Sequence, residues 1–351
     1  MQSAMIYEKT LKKICRLPKV TEELIHSIFL KQESCTVQVV SKNIGKPGFE
    51  ITTNEGTCFV TERTIDYYNK NMGRVTGLQQ RMLGLAIPVP LYIGEGTISE
   101  EIHEINQSKT PLDDSDQWLH SNFSIEVALT YFQRYFALSN SFKEYKTIIF
   151  EAIEAYYMGM DHVAIMSLIP VFEAGLRKIQ NSVLGMSDQN VSSKEFERGL
   201  KELCLDRGRR RTQEYIWYPG KSYNADVEID FLTHICPQSD VINAFRLFFS
   251  NVLYKNSKEG IVGLNRHVIV HMLKNDFSNP ANFSRIFLAM THITFIESLS
   301  NQDVPFFWPG YNDDSQVKAL SVYIRQLSKS VGEPRRKLLN RAGISSYGNC
   351  V

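Results

Sequence analysis

Between residues 122 and 299 apolar side chains recur at helical spacing with few interruptions, and that period dominates what the chain can fold into. The clearest stretch follows Asp161. It places Ile165, Leu168, Ile169, Phe172, Leu176 and Ile179 along one stripe, as a helix burying one face in a bundle must. Gly159 breaks the preceding pattern, Asp161 is placed to cap the new helix, and Pro170 should kink it by removing a backbone bond. The same period runs through 122–138, 143–158, 194–206 and 240–254. Asn279-Pro280 splits the last pair into a short piece, 266–275, and a long one, 281–299. The expected fold class is mainly α: a helical bundle over 120–300, followed by a helical extension over 301–351.

The first 115 residues mix signals. Helical spacing over 5–31 is broken at Pro18, after which Cys35–Val40 and Phe49–Thr53 alternate as half-buried strands do. Asn54-Glu55-Gly56 reads as a short turn into Thr57–Val60, giving a hairpin. Helical spacing returns over 61–83. Pro88, Pro90 and Gly94-Glu95-Gly96 then punctuate a loop-rich stretch, and the polar run Ser108–Gln117 precedes the bundle. Residues 1–115 are therefore expected to form a small α/β accessory unit.

Composition excludes some classes. With 351 residues, 43% apolar and 22% charged, the chain has material for a real core and is neither disordered nor fibrous. The 39 basic and 38 acidic side chains leave a net charge of +1, so nucleic acid would have to bind at a local patch. No apolar run approaches the ~18–20 residues of a membrane span. The N-terminus lacks the pattern of a secretory signal. Six cysteines, at 15, 35, 58, 204, 236 and 350, form neither a CxxC pair nor a disulfide framework. A cytoplasmic protein without a membrane partner is expected.

The densest polar cluster is Gly263-Leu264-Asn265-Arg266-His267-Val268-Ile269-Val270-His271. Asn265 suits a helix N-cap, which puts Arg266 and His267 in a first turn whose N–H groups lack helical partners. His267 and His271 share a face, whereas Arg266 and His271 lie roughly 140° apart on an ideal helix. Three readings stand. In one, arginine holds a phosphodiester and a histidine moves protons. In another, the two histidines ligate a metal at i, i+4 spacing, although no third ligand declares itself. In the third, the segment is simply a capped helix start.

The segment resembles the signature of the HEPN superfamily, the nucleotide-binding helical domain of many prokaryotic toxins, phage-defence nucleases and RNA-guided effector nucleases. That signature is Arg, a polar residue, a few more residues and His, matched here from Arg266 through His267 to His271. The family sets it at the start of a late helix after a helical hairpin. The run Ala155–Ile165, continuing to Phe172-Glu173-Ala174-Gly175-Leu176-Arg177, resembles such a hairpin. The resemblance spans about residues 120–300. Residues 1–115 find no place in it, and Met272 stands where many members carry a small residue.

The resemblance implies a HEPN-type bundle acting as a metal-independent endoribonuclease without a cofactor, a toxin or antiviral defence effector. The 2′-hydroxyl of RNA would attack the adjacent phosphorus, leaving a 2′,3′-cyclic phosphate and a 5′-hydroxyl. Arg266, His271 and His267 would be catalytic, with Asn265 and Glu173 in support. Members commonly dimerise so that two motifs face one cleft, and an antitoxin or other regulatory partner fits a toxin of this kind. The alternative is a HEPN bundle without catalysis that serves as a dimerising or scaffold module.

Three further features have two readings each. Glu173 either orients Arg266 or His271 from a neighbouring helix or forms an i, i+4 pair with Arg177. Arg207, Arg209, Arg210 and Arg211, followed by Tyr215, Trp217, Tyr218 and Tyr223, suit a single-stranded RNA path or else a solvated loop beside core aromatics. Phe245, Phe248, Phe249, Phe283, Phe287 and Phe295 exceed what one core needs, so a C₂ homodimer is expected with their helices near the axis and the two Arg266/His271 pairs facing each other; the alternative is that they pack inward. The basic tail Arg335-Arg336-Lys337 to Arg341 reads as a helix surface.

Overall fold

The structure, a computed structural model, describes residues 5–255, 264–273, 276–310 and 314–344. It is mainly helical, with one small antiparallel sheet near the N-terminus. The described residues group into two compact units. The first takes those of Met1–Gly77 and Leu200–Ala244; the second takes those of Leu78–Gly199 and Phe245–Val351. The division therefore does not follow the expected boundaries at 1–115, 120–300 and 301–351: residues 200–244 pack with the N-terminal segment.

In the first unit, helices α1 (Glu8–Ile14) and α2 (Glu22–Glu33) precede a three-stranded meander, β1 (Gln38–Asn43), β2 (Pro47–Thr53) and β3 (Gly56–Thr61). The hairpin at Asn54-Glu55 forms as its sequence reads, with Thr53 opposite Gly56 and the glycine at φ +140°. The first strand lies later than the alternation of Cys35–Val40 suggests. It is an edge strand with one buried residue, Val39, so its pattern carries little register information. Helix α3 (Ile65–Lys70) follows, and α4 (Arg74–Met82) begins under the buried carboxylate of Asp240, which accepts from the Val75 and Thr76 amides at 2.8 and 2.9 Å.

The second unit continues through α5 (Glu95–Gln107), α6 (Pro111–Asn122) and α7 (Ile125–Tyr131). The polar run Ser108–Gln117 is thus helical from Pro111 onward, started by that proline at a position where its missing N–H costs nothing. A π-helical turn over Phe132–Phe136 leads to α8 (Lys146–Tyr157), then to α9 (Asp161–Leu184). The whole apolar stripe of α9 is buried, and the helix runs unbroken through Pro170, which faces outward. Asp161 does not cap it. It is the first helical residue, and both its oxygens accept from Arg336 at 2.8 Å in a buried pair. Arg336 is therefore 5% exposed, a correction to the reading of the basic tail as surface.

Further along come α10 (Ser193–Arg211), α11 (Ala225–Ile235), α12 (Pro237–Phe248), α13 (Arg266–Val270), α14 (Ala281–Ser298), α15 (Ser315–Leu327) and α16 (Glu333–Arg341). Helix α14 is buried on every side from Ala281 to Thr294 and forms the centre of the second unit. Phe245, Phe248, Phe249, Phe283 and Phe287 are all at or below 1% exposure, and only Phe295 is half-exposed. The aromatic dimer axis expected from the sequence is thereby corrected. These rings fill the chain's own core, Phe283 stacking on Tyr156 at 4.2 Å and Phe287 meeting Phe136 and Phe123 edge-on. No helix among the described residues is long and apolar enough to cross a membrane.

Candidate active site

Asn265 builds the local geometry of the motif. Its backbone is extended, and its Oδ1 accepts from the amides of His267 at 2.9 Å and Val268 at 3.3 Å, which starts α13. Its Nδ2 donates to the carbonyls of Val252 at 3.3 Å and Lys255 at 2.9 Å. One fully buried side chain thus ties the motif to the π-helical turn Phe249–Leu253 that extends α12. Gly263, the first residue of the nonapeptide, lies outside the described residues.

The helix is shorter than the expected 266–275 and ends after five residues. His271 occupies its C-cap, Met272 adopts φ +51°, and the amides of Met272 and Leu273 turn back to the carbonyls of Ile269 and Val268 at 3.3 and 3.1 Å. This is a Schellman ending with methionine where glycine is usual. Both imidazoles are left exposed, their ring centres 4.5 Å apart. The face shared by His267 and His271 is therefore real, but among the described residues no third His, Cys, Asp or Glu completes a metal-ligand group.

Arg266 is anchored to a different helix, α9. Its Nε donates to Glu173 Oε1 at 2.7 Å, and Tyr254 Oη donates to that same oxygen. Glu173 is 7% exposed on α9 and is the orienting carboxylate of the first reading, not the partner of Arg177, whose Nη1 donates to the Asn190 carbonyl. Burial works against the arginine's charge, but the hydrogen bond and field of Glu173 outweigh it and raise the pKa of Arg266. Burial, with Glu173 beside it, likewise pushes the Tyr254 phenol up, so it remains a donor. Tyr254, stacked on Phe249 at 4.2 Å, was not legible as a site residue: an aromatic closing an apolar run reads as core.

The arginine run lies elsewhere, in the first unit and on the last turn of α10, not in a loop. Arg209 binds Glu228 through Nε and Nη2 at 2.8 and 2.7 Å, Arg210 pairs with Asp206, and Arg211 Nε reaches the Ile44 carbonyl at 3.4 Å. Arg207 is half-buried. Tyr215, Trp217 and Tyr218 are 3% exposed or less because their segment lies along the outer edge of β3, where the Phe59 amide donates to the Trp217 carbonyl at 2.9 Å. Those three rings are core, as the second of the two readings has them, and do not offer faces for bases to stack on.

The cysteines at 15, 35, 58, 204 and 236 are free thiols, all but Cys35 buried, and burial pushes Cys58 up to about 12. Cys350 lies outside the described residues. Compared with family models, with curated proteins and with solved structures, the chain matches none.

Proposed function

We propose that the second unit is a HEPN-type endoribonuclease that cleaves RNA without a metal, with Arg266 and His271 as its principal catalytic residues and His267 beside them. The observation that carries this reading is the division of labour within one turn. Glu173 takes the guanidinium by one edge, through Nε, while two imidazoles stand exposed side by side on one face of the same short helix.

An arginine so held, with Tyr254 also beside it, offers its remaining terminal N–H groups to the non-bridging oxygens of a phosphodiester. Those oxygens gain negative charge as the 2′-oxygen attacks, so fixed donors stabilise the transition state more than the ground state. A neutral imidazole accepts the 2′-proton and an imidazolium returns one to the 5′-leaving oxygen. Two exposed histidines in one turn offer both roles within a single chain, so a second protomer is not chemically required. Incubation of the purified protein with RNA in EDTA, followed by end-group analysis, tests the proposal. Cyclic-phosphate ends support it, and intact RNA refutes it.

The second reading, a HEPN bundle without catalysis, draws on the same ion pair. A guanidinium committed to a buried carboxylate is also a pin between α13 and α9. That reading expects intact RNA together with a loss of stability when Arg266 is removed.

A further inference from the structure

In the first unit a groove of about 1030 Å³ opens beside the buried segment Tyr215–Tyr218. Its carboxylates all have donors inside the chain. Glu228, 5% exposed, accepts from Arg209 twice and from Tyr218 Oη at 2.5 Å. Glu8 pairs with Lys12 at 2.5 Å, and Glu55, exposed to water, accepts the Ile6 amide at 3.1 Å.

Two donors of the same wall are not matched in this way. Lys221 is half-buried, its ammonium 5.4 Å from the centre of the Tyr218 ring, with no ion-pair partner among the described residues. Burial lowers its pKa, the mark of a charge short of compensation. Trp217 is 1% exposed, and its indole N–H has no hydrogen-bond partner. Buried polar groups are normally paired, so a wall whose carboxylates are satisfied and two of whose donors are not calls for a ligand that brings acceptors. The aromatic lining, with Tyr223 half-exposed at its edge, suits a flat ligand, and the volume suits one the size of a nucleotide or an aromatic acid.

We propose that this groove binds a planar organic anion, its phosphate or carboxylate held by Lys221 Nζ and oriented by the Trp217 indole N–H. The site lies wholly within the first unit and is independent of the chemistry proposed for Arg266 and His271.

Calorimetric titration of the full chain tests it, using adenosine 5′-monophosphate, indole-3-acetate, uncharged adenosine and inorganic phosphate. At least one of the two planar anions is expected to bind at millimolar affinity or tighter, and the one that binds separates a phosphate from a carboxylate ligand. Adenosine should bind about tenfold more weakly or not at all, since an ionised acceptor roughly doubles the strength of each hydrogen bond. Lys221→Met should weaken binding about tenfold at an unchanged thermal midpoint. Trp217→Phe, a smaller ring that leaves a cavity and lowers the midpoint, should weaken it by a similar factor under conditions where the variant is folded. The affinity should persist in Arg266→Ala, which separates this groove from the proposed RNA site. Failure of both anions to bind, equal binding of adenosine, inorganic phosphate binding as tightly as the nucleotide, or wild-type affinity in Lys221→Met would each overturn the proposal.

Discussion

Arg266 Nε and Glu173 Oε1 lie 2.7 Å apart, joining residues separated by 93 positions in the chain. Tyr254 donates to the same carboxylate oxygen, so three segments converge on one atom. The pair is mostly buried, with side-chain exposures of 25% and 10%. Removing the arginine therefore does more than delete the cation proposed to hold the phosphodiester. It leaves a carboxylate in the interior with a single phenol as partner. Arg266→Ala is expected to abolish RNA cleavage and also to lower stability by about 1–3 kcal/mol, the usual cost of orphaning a buried polar group. Arg266→Lys should recover much of that stability but little of the activity, because an ammonium cannot hold Glu173 by one edge and present donors by another. Urea unfolding and end-labelled RNA assays on the two variants check both halves. Equal stability of Arg266→Ala and wild type would show that the ion pair contributes nothing to the fold.

His271 and His267 should behave differently, since both are exposed and neither supports the core. His271→Ala is expected to lower the cleavage rate ~10²–10⁴-fold, the range for loss of one proton-transfer group, at an unchanged thermal midpoint. His267→Ala should show a smaller loss. Activity should survive EDTA throughout. If EDTA abolishes cleavage and zinc or manganese restores it, the two histidines are metal ligands, and their roles in proton transfer must be abandoned.

Much of the second unit could be read from the chain, and the reason is physical. The stripe from Ile165 to Ile179 has a period that only a helix satisfies, and Asn265 carries the one side chain in its neighbourhood suited to capping. The link between Glu173 and Arg266 was available as one of two readings, because helical spacing alone cannot say whether Glu173 turns towards Arg177 or away from it. Tyr254 was beyond reach: its position depends on the π-helical turn at Phe249–Leu253, which has no sequence signature. The same limit hid the membership of the first unit. Nothing local to Tyr215–Tyr218 announces that it will lie against β3, since the whole segment Leu78–Gly199, which belongs to the second unit, lies in the chain between the bridged residues Cys58 and Trp217. Phenylalanines on α12 and α14 pointed to an interface only because their number exceeded what one helix face needs. Burial on all sides of α14 uses them instead.

That burial gives the third expectation. Phe287→Ala should destabilise the protein by about 3–5 kcal/mol, as large-to-small changes in a packed core do, and should leave the oligomeric state unaltered. Denaturant titration with light scattering on the same samples checks it. A change in mass without a change in stability would return Phe287 to an interface.

The ending of α13 gives the fourth. Met272 sits at φ +51° with its side chain 56% exposed, so the methionine holds a left-handed conformation without evident packing in return. The strain of such a residue is about 1–2 kcal/mol, partly offset for glycine by the greater freedom of its unfolded state. Met272→Gly is thus expected to raise stability by about 0.5–1 kcal/mol while keeping both imidazoles in place. A lower thermal midpoint in that variant would mean that the exposed side chain has contacts that stabilise the turn.

The last expectation concerns acid. His292 is 1% exposed in the middle of α14, its ring stacked at 5.1 Å on Phe245 and its Nε2 hydrogen-bonded to the Val89 carbonyl at 2.9 Å. Burial pushes its pKa from 6.5 down to about 4, against a smaller opposing effect of that hydrogen bond. Between those values the unfolded chain takes up a proton that the folded chain refuses. Stability therefore rises with pH across the window, falls as the pH drops from 6.5 towards 4, and levels off below, for a total on the order of 3 kcal/mol. His292→Phe removes the titrating group while keeping a flat ring against Phe245, at the expense of the bond to Val89. The variant should start less stable at pH 7, yet lose about 2 kcal/mol less than wild type between pH 7 and pH 5. Urea unfolding at the two pH values measures the difference directly. Parallel losses in both proteins would mean that His292 takes up its proton as readily when folded as when unfolded.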